Sequence, residues 1–272
     1  MKKLIASILL IAALGVLAMG IYFYLHKPWW QPKPGTTWQW QLQNYPVNTQ
    51  FPVDMYSVDL FNTPAKDIQT LKQQGKTVIC YFSAGTWEPY RPDSRLFPQL
   101  GIGNQLKHWP KEHWLNIRDQ QVRNILIERI RLAKQRGCDG IEPDNIDAYQ
   151  HETGFNLSAD DQLAFNRWLA QEAHRQQLSI GLKNDLEHVP NLVRHFDWAI
   201  NESCFKYNEC HLLIPFVKAN KAVFIAVYEG DMATMCDYAN NHQFSLIMKK
   251  RLVKSDVKFC PPLNKHNKWT IR

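Results

Sequence analysis

The ten residues Cys138-Asp139-Gly140-Ile141-Glu142-Pro143-Asp144-Asn145-Ile146-Asp147 place four carboxylates around one short apolar run. Val122, Ile125, Leu126, Ile130 and Ala133 mark one helical face that stops at Gly137, so residues 140–142 read as a strand fed by a helix. The acids then gather where that strand ends. Asp197-Trp198-Ala199-Ile200-Asn201-Glu202 repeats the arrangement, with an apolar run that delivers a carboxylate at its end. Two acids at two strand ends make a catalytic pair possible.

Outward from these runs the same alternation continues. Trp38-Gln39-Trp40-Gln41-Leu42 has the period of a strand, and residues 56–60 form a second. Thr63 and Pro64 suit a helix start, Ile68 and Leu71 supply its face, Gly75 closes it, and residues 77–82 are a continuous apolar strand. Strand, helix and strand in succession imply a parallel crossover. Ser158 with Asp161 predicts a capping box ahead of Leu163, Phe165, Trp168, Leu169 and Ala173. Residues 178–182, 198–201, 222–227 and 244–248 complete eight strands, the number a (β/α)8 TIM barrel needs. A doubly wound open sheet is the alternative, although no glycine-rich dinucleotide fingerprint follows the first strand.

In such a barrel, chemistry sits at the C-terminal ends of the strands. Those positions hold Asp59, residues 83–88, Glu142, Asp144, residues 183–185, Glu202 and residues 228–231, nearly all polar or charged. Strand starts such as Thr77, Ser179 and Ala222 hold no comparable set. Hydrolysis of a glycosidic bond needs one carboxylic acid to protonate the leaving oxygen and one carboxylate to attack or to activate water. Asp144 and Glu202 fit those roles, although Asp144 alone suits a turn cap and Glu202 alone an ordinary ion pair. Lys183 within reach of Asp144 favours Asp144 as nucleophile or base, while apolar neighbours around Glu202 favour it as proton donor. Lys183-Asn184-Asp185 offers donors for hydroxyl or amino groups, and Trp87, Trp109 and Trp114 in the loop after the third strand offer stacking platforms or core packing. No G-x-S-x-G, Walker loop or H-E-x-x-H occurs, and the acid spacing around Asp144 is not that of a calcium loop, so neither metal nor cofactor is expected.

The chain has 272 residues, 45% hydrophobic and 12% aromatic, enough for one substantial core. Its net charge of +7 is scattered apart from Lys249, Lys250 and Arg251, which argues for a generic basic surface and against a nucleic-acid partner. Lys2 and Lys3 precede an apolar stretch over residues 4–25, about 20 residues, long enough to cross a bilayer. Residues 1–27 are therefore expected to be a transmembrane or signal-anchor helix, or a signal cut after Ala18-Met19-Gly20 that would release the domain, with residues 28–35 as linker and residues 36–272 as the catalytic domain outside the cytoplasm. The membrane and a polysaccharide are the expected partners of a monomer. Export favours bridges among the 6 cysteines. Cys204 with Cys210 and Cys236 with Cys260 are the expected pairs, leaving Cys80 and Cys138 as buried free thiols.

Several long motifs in order resemble the endo-α-1,4-polygalactosaminidases, glycoside hydrolase family 114. They are Trp38-Gln39-Trp40-Gln41-Leu42, Asp59-Leu60-Phe61, Val78-Ile79-Cys80-Tyr81-Phe82-Ser83-Ala84-Gly85 with Glu88, Arg91-Pro92-Asp93, residues 137–147, Gly181-Leu182-Lys183-Asn184-Asp185 and Asn201-Glu202. The resemblance implies a (β/α)8 barrel that cleaves galactosamine-containing, or N-acetylgalactosamine-containing, α-1,4 polysaccharide. It puts the catalytic carboxylates on Asp144 and Glu202, the pair also reached from the strand ends. Asp59, Tyr81, Trp87, Glu88, Glu142, Lys183, Asn184 and Tyr228 are the expected substrate contacts. One departure is Trp114-Leu115-Asn116-Ile117-Arg118, where the family carries Asp at the third position; it touches a cap, an ion pair or a subsite contact. The competing class is a membrane-held barrel that binds polysaccharide without cleaving it.

Overall fold

In the computed structural model, residues 29–250 and 254–261 are described. Eight strands follow in chain order: β1 (Trp38–Gln41), β2 (Met55–Asp59), β3 (Thr77–Ser83), β4 (Gly140–Asp144), β5 (Ser179–Lys183), β6 (Trp198–Glu202), β7 (Val223–Val227) and β8 (Ser245–Met248). Each pairs in parallel with its successor. A short antiparallel strand, Lys258–Phe259, extends β8. The sheet curls until β1 and β8 meet through side chains. The Trp38 indole N–H donates to Ser245 O at 2.8 Å, and the Lys249 ammonium donates to Trp40 O at 2.7 Å and Gln39 Oε1 at 3.1 Å. The result is a curled, TIM-like α/β sheet.

Strands buried on both faces explain the apolar runs in the sequence. On the outer face Leu60, Phe82, Ile141 and Ile180 pack beneath the helices, while Trp38, Trp40, Trp198 and Phe224 fill the interior. Gly181 on β5 makes room for that filling, because a Cβ there would lie 2.2 Å from the Trp198 ring.

The helices are α1 (Ala65–Gln73), α2 (Gln120–Gln135), α3 (Ala159–Arg175), α4 (Val189–Leu192), α5 (Cys204–Tyr207), α6 (Ile214–Lys218) and α7 (Met232–Asn241). The Ser158–Asp161 capping box opens α3. Asp119 and Asp231 accept first-turn N–H bonds at α2 and α7. Pro64, rather than Thr63, stands at the cap of α1.

Between β3 and α2 the chain makes a long excursion whose short strands Thr86–Trp87, Ile102–Gln105 and His113–Leu115 form a separate antiparallel sheet. It stands over the C-terminal ends of the strands of the curled sheet. The expected anchor over residues 4–25 lies outside the described residues, among which no helix is long and apolar enough to cross a membrane. Of the expected linker, Trp29 is docked: its indole donates to Asp197 at 2.8 Å and its ring stacks on His174.

Disulfides join Cys204 to Cys210 and Cys236 to Cys260. Cys80 and Cys138 are not free thiols, as the sequence suggested, but form a third bridge across a Cα separation of 6.0 Å. Cys80 lies on β3 and Cys138 just ahead of β4, its hydrogen-bonded neighbour, so strand pairing brings together residues 58 apart in sequence. Three disulfides fit an oxidising compartment.

Candidate active site

Side chains two apart on a strand share a face, so Glu142 and Asp144 both turn from β4 into the mouth of the sheet. Lys183 ends β5 and Glu202 ends β6. The Lys183 ammonium stands 3.1 Å from Asp144 Oδ1, 2.9 Å from Glu202 Oε1 and 3.4 Å from Glu142 Oε1. Trp40 packs under the same ammonium, 4.8 Å from ring centre to nitrogen. Each outer acid has a further donor. Tyr81 Oη donates to Asp144 Oδ2 at 2.8 Å, and Tyr228 Oη donates to Glu202 Oε2. Asp144 Oδ1 also accepts the Asn145 N–H at 2.8 Å.

Burial acts to lower the Lys183 ammonium, but Asp144, Glu202 and Glu142 outweigh it and hold the group well above the ordinary lysine value. It stays charged. Glu142 is fully enclosed, and burial pushes its carboxyl up to about 7 against the opposing pull of Lys183 and a hydrogen bond from Ser57. Burial first, then the facing carboxylates, raise both Tyr81 and Tyr228, which keeps them protonated as donors.

Asn184 and Asp185 follow β5 with φ of 51° and 48°. That left-handed pair turns Asn184 Oδ1 back to accept from Glu202 N at 3.1 Å and Asn201 Nδ2 at 3.2 Å. On the other side, the Ala84 and Gly85 N–H groups donate to Asp144 O at 2.9 and 3.1 Å. The approach is so close that a Cβ on Gly85 would lie 1.7 Å from Asn145 O. Both acids are thus fixed through their backbones as well as their carboxyl groups.

Above them opens a cleft of about 660 Å³. Asp144, Glu202, Tyr81 and Asn184 contribute to its lining, and Asp59, Glu88, Tyr90, Arg91, Trp109 and Glu112 stand around it. Arg91 bridges Asp59 and Glu88 at 2.8 Å each; burial would lower its guanidinium, yet Glu88 and Asp59 together raise it. Tyr90 Oη stands 3.0 Å from Glu88 Oε1 and 2.9 Å from Glu112 Oε1, and its one proton serves either carboxyl group. Burial, then Glu88, raise the Glu112 carboxyl.

The remaining expected contacts divide. Glu142 at 0% exposure and Lys183 at 1% lie beneath the cleft, where Lys183 touches Asp144 and Glu202 and Glu142 touches Lys183. Tyr228 backs Glu202. Trp87 turns away, packing on the core with its indole donating to Ser94 O at 2.9 Å, whereas Trp109 is 46% exposed in the lining. Glu202 does not meet the purely apolar surroundings expected for it, since Lys183 reaches it as closely as it reaches Asp144. Asn116 holds a turn, accepting from Arg118 N at 3.3 Å, and takes no part in the lining. Arg91, Tyr90, Glu112 and Trp40 belong to the site without having been singled out as contacts. Arg91 and Trp40 had a signal, in the motifs Arg91-Pro92-Asp93 and Trp38-Gln39-Trp40-Gln41-Leu42. No cluster of metal-ligating side chains occurs among the described residues.

The sequence model of glycoside-hydrolase family GH114 matches residues 25–264. The chain belongs to family GH114. This GH114 enzyme superimposes on the crystal structure of Aspergillus fumigatus Ega3 in complex with galactosamine with a TM-score of 0.82 and 36% identity, over 86% of this chain and 98% of that one. The glycoside hydrolase domain of PelA from Pseudomonas aeruginosa matches with a TM-score of 0.60 and 15% identity, over 80% and 94% of the two chains, a likeness of fold alone. No curated sequence matches the chain. Family membership makes the protein a glycosidase.

Proposed function

We propose that this GH114 glycosidase hydrolyses α-1,4-linked galactosamine polysaccharide, with Asp144 and Glu202 as its carboxylate pair. The observation that carries the reading is the sharing of one buried ammonium by two acids at the ends of β4 and β6, at the floor of the cleft. That shared contact keeps the two bonded oxygens no more than about 6 Å apart, a limit that admits the carboxyl separation of retaining glycosidases, about 5–5.5 Å. Asp144 receives three donors, from Lys183, Tyr81 and Asn145 N–H, against two for Glu202, from Lys183 and Tyr228. More donors stabilise the ionised form, so Asp144 is the nucleophile and Glu202 the proton donor.

In the first step an Asp144 oxygen bonds the anomeric carbon as the glycosidic bond breaks, and the Glu202 proton passes to the departing oxygen. Water then attacks the glycosyl ester, giving its proton to Glu202 and releasing Asp144. The cleft lining counts Asp59, Glu88, Glu112, Asp144, Asp147, Glu152 and Glu202 against Arg91 and Lys107. An acidic cleft on a chain of net charge +7 favours ammonium-bearing sugars over their N-acetylated forms. The galactosamine bound to Ega3 supports the same sugar.

Asp144→Asn and Glu202→Gln should each lower release of reducing ends from polygalactosamine by about 10²- to 10⁴-fold, with melting curves unchanged. Azide added to Asp144→Ala acting on an activated α-substrate should give the β-glycosyl azide; that product from Glu202→Ala alone would exchange the roles. Tight binding of polymer without cleavage by the parent enzyme would replace catalysis by pure binding. We place the domain outside the cytoplasm, held by residues 4–25 in the membrane with Lys2 and Lys3 inside.

A further inference from the structure

The two ends of the sheet differ in charge. Acids crowd the cleft, while the opposite end, built from strand starts and helix C-termini, is basic. Lys33, Lys134, Arg194 and Lys218 are exposed there. Of the carboxylates at that end, Asp139 and Glu172 are paired with Lys72 and Arg175 and Asp197 is held by Trp29 and His174, while Asp54, bonded to Thr37, keeps its charge and is outnumbered by the four cations. Helix dipoles account for Lys134 and Lys218 in the last turns of α2 and α6. They do not account for Lys33 before β1 or Arg194 after α4.

The chain also enters the fold at this end. Trp29 is clamped by Asp197 and His174 just ahead of β6, Trp30 packs against the interior cluster, and Pro32 O accepts from Ala222 N at 3.0 Å just ahead of β7. Trp29 and Trp30 remain half-exposed beside the cations. Four chain steps separate residue 25, the last of the apolar stretch, from Trp29, a reach of at most about 14 Å.

We propose that the basic end is a docking face for an anionic lipid bilayer, which seats the domain with its cleft turned away from the membrane. The inference rests on residues 4–25 lying in the bilayer and goes beyond that placement by fixing which face meets the lipid. Lys and Arg are drawn to anionic headgroups over about a Debye length, and interfacial Trp favours the headgroup layer. The short reach from residue 25 brings both kinds of group to that depth. A long polymer then meets the cleft from the solvent side, unobstructed by the membrane.

The test uses the full chain in vesicles of phosphatidylcholine alone, or with one part in three of phosphatidylglycerol, read by hydrogen exchange. Residues 72–77, 174–177, 194–197 and 218–222 should be protected in the anionic vesicles beyond their level in the neutral ones, and residues 86–91 and 105–114 should not change. Joint substitution Lys33→Ser, Lys134→Ser, Arg194→Ser and Lys218→Ser should lower the docked-to-undocked ratio by up to about fivefold per cation while leaving hydrolysis of soluble substrate unaltered. Equal protection in the two lipids overturns the docking face while leaving the membrane placement intact, as does protection of the cleft loops instead. Failure of the chain to float with vesicles overturns both. Protection of the same segments by dextran sulfate in detergent, equal to that in anionic vesicles, reassigns the face to a soluble polyanion.

Discussion

Replacing Lys183 by methionine keeps most of the side chain's length and removes the positive charge that touches Asp144, Glu202 and Glu142 at 3.1, 2.9 and 3.4 Å. At an effective dielectric of about 20, a contact near 3 Å is an attraction of about 5 kcal/mol before desolvation. Without it, nothing offsets the mutual repulsion of the two cleft carboxylates, about 3 kcal/mol at about 6 Å. Their side chains are 19% and 22% exposed, so water screens part of this. The acidic limb of kcat/KM should therefore move to higher pH, with kcat at pH 6 lower by at least about tenfold. The assay is release of reducing ends between pH 4 and 9, with circular-dichroism melts verifying the fold at each pH. The melts should be depressed most at high pH, because Glu142 can offset the lost partner by taking a proton near neutrality. A folded Lys183→Met enzyme whose acidic limb overlays that of the parent would refute the role of the shared ammonium.

Tyr228→Phe removes the hydroxyl that donates to Glu202 and should lower kcat about tenfold with KM changed less than about twofold; an unchanged kcat would remove Tyr228 from the site. Glu142 carries a folded-state value of about 7 against an ordinary 4.5, so its contribution to stability is complete below about 4.5 and is lost as pH rises to about 7. Relative to Glu142→Gln, the parent should thus lose about 3 kcal/mol across that window in urea melts, and a flat difference would contradict the assignment. Joint substitution Cys80→Ser and Cys138→Ser should cost about 2–5 kcal/mol, and non-reducing peptide maps of the parent should recover the two cysteines in one linked peptide; free thiols at both positions would exclude the bridge.

Most of the eight strands were legible because they are buried on both faces and read as apolar runs, β1 because its Trp and Gln residues alternate, and the capping box before α3 because it is local in sequence. The position of Asp144 and Glu202 at the cleft was legible for the same reason, since both stand at the ends of such runs. What could not be read depends on register between strands. Pairing of β3 with β4 brings Cys80 to Cys138, and no spacing rule connects residues 58 apart. Whether Lys183 served one acid or two was likewise a matter of how β4, β5 and β6 stand side by side. Trp87 and Trp109 share a loop and a residue type, yet one packs inward and the other faces the cleft, a choice made by the small antiparallel sheet over the barrel mouth. Trp29 looked like part of a tether because its partners, Asp197 and His174, lie far along the chain.

The crowding at Gly85 has a practical outcome for anyone who diversifies this enzyme and selects on turnover. Even a methyl group at that position collides with main chain that cannot yield without dragging the end of β4 along. Libraries would therefore return glycine there as stubbornly as they return the two acids. A heat map of tolerated substitutions would invite the mistaken view that Gly85 takes part in bond cleavage. Pairing each turnover score with a measure of folded yield separates the two cases: variants of Asp144 and Glu202 should stay abundant and silent, whereas variants of Gly85 should fall in both columns.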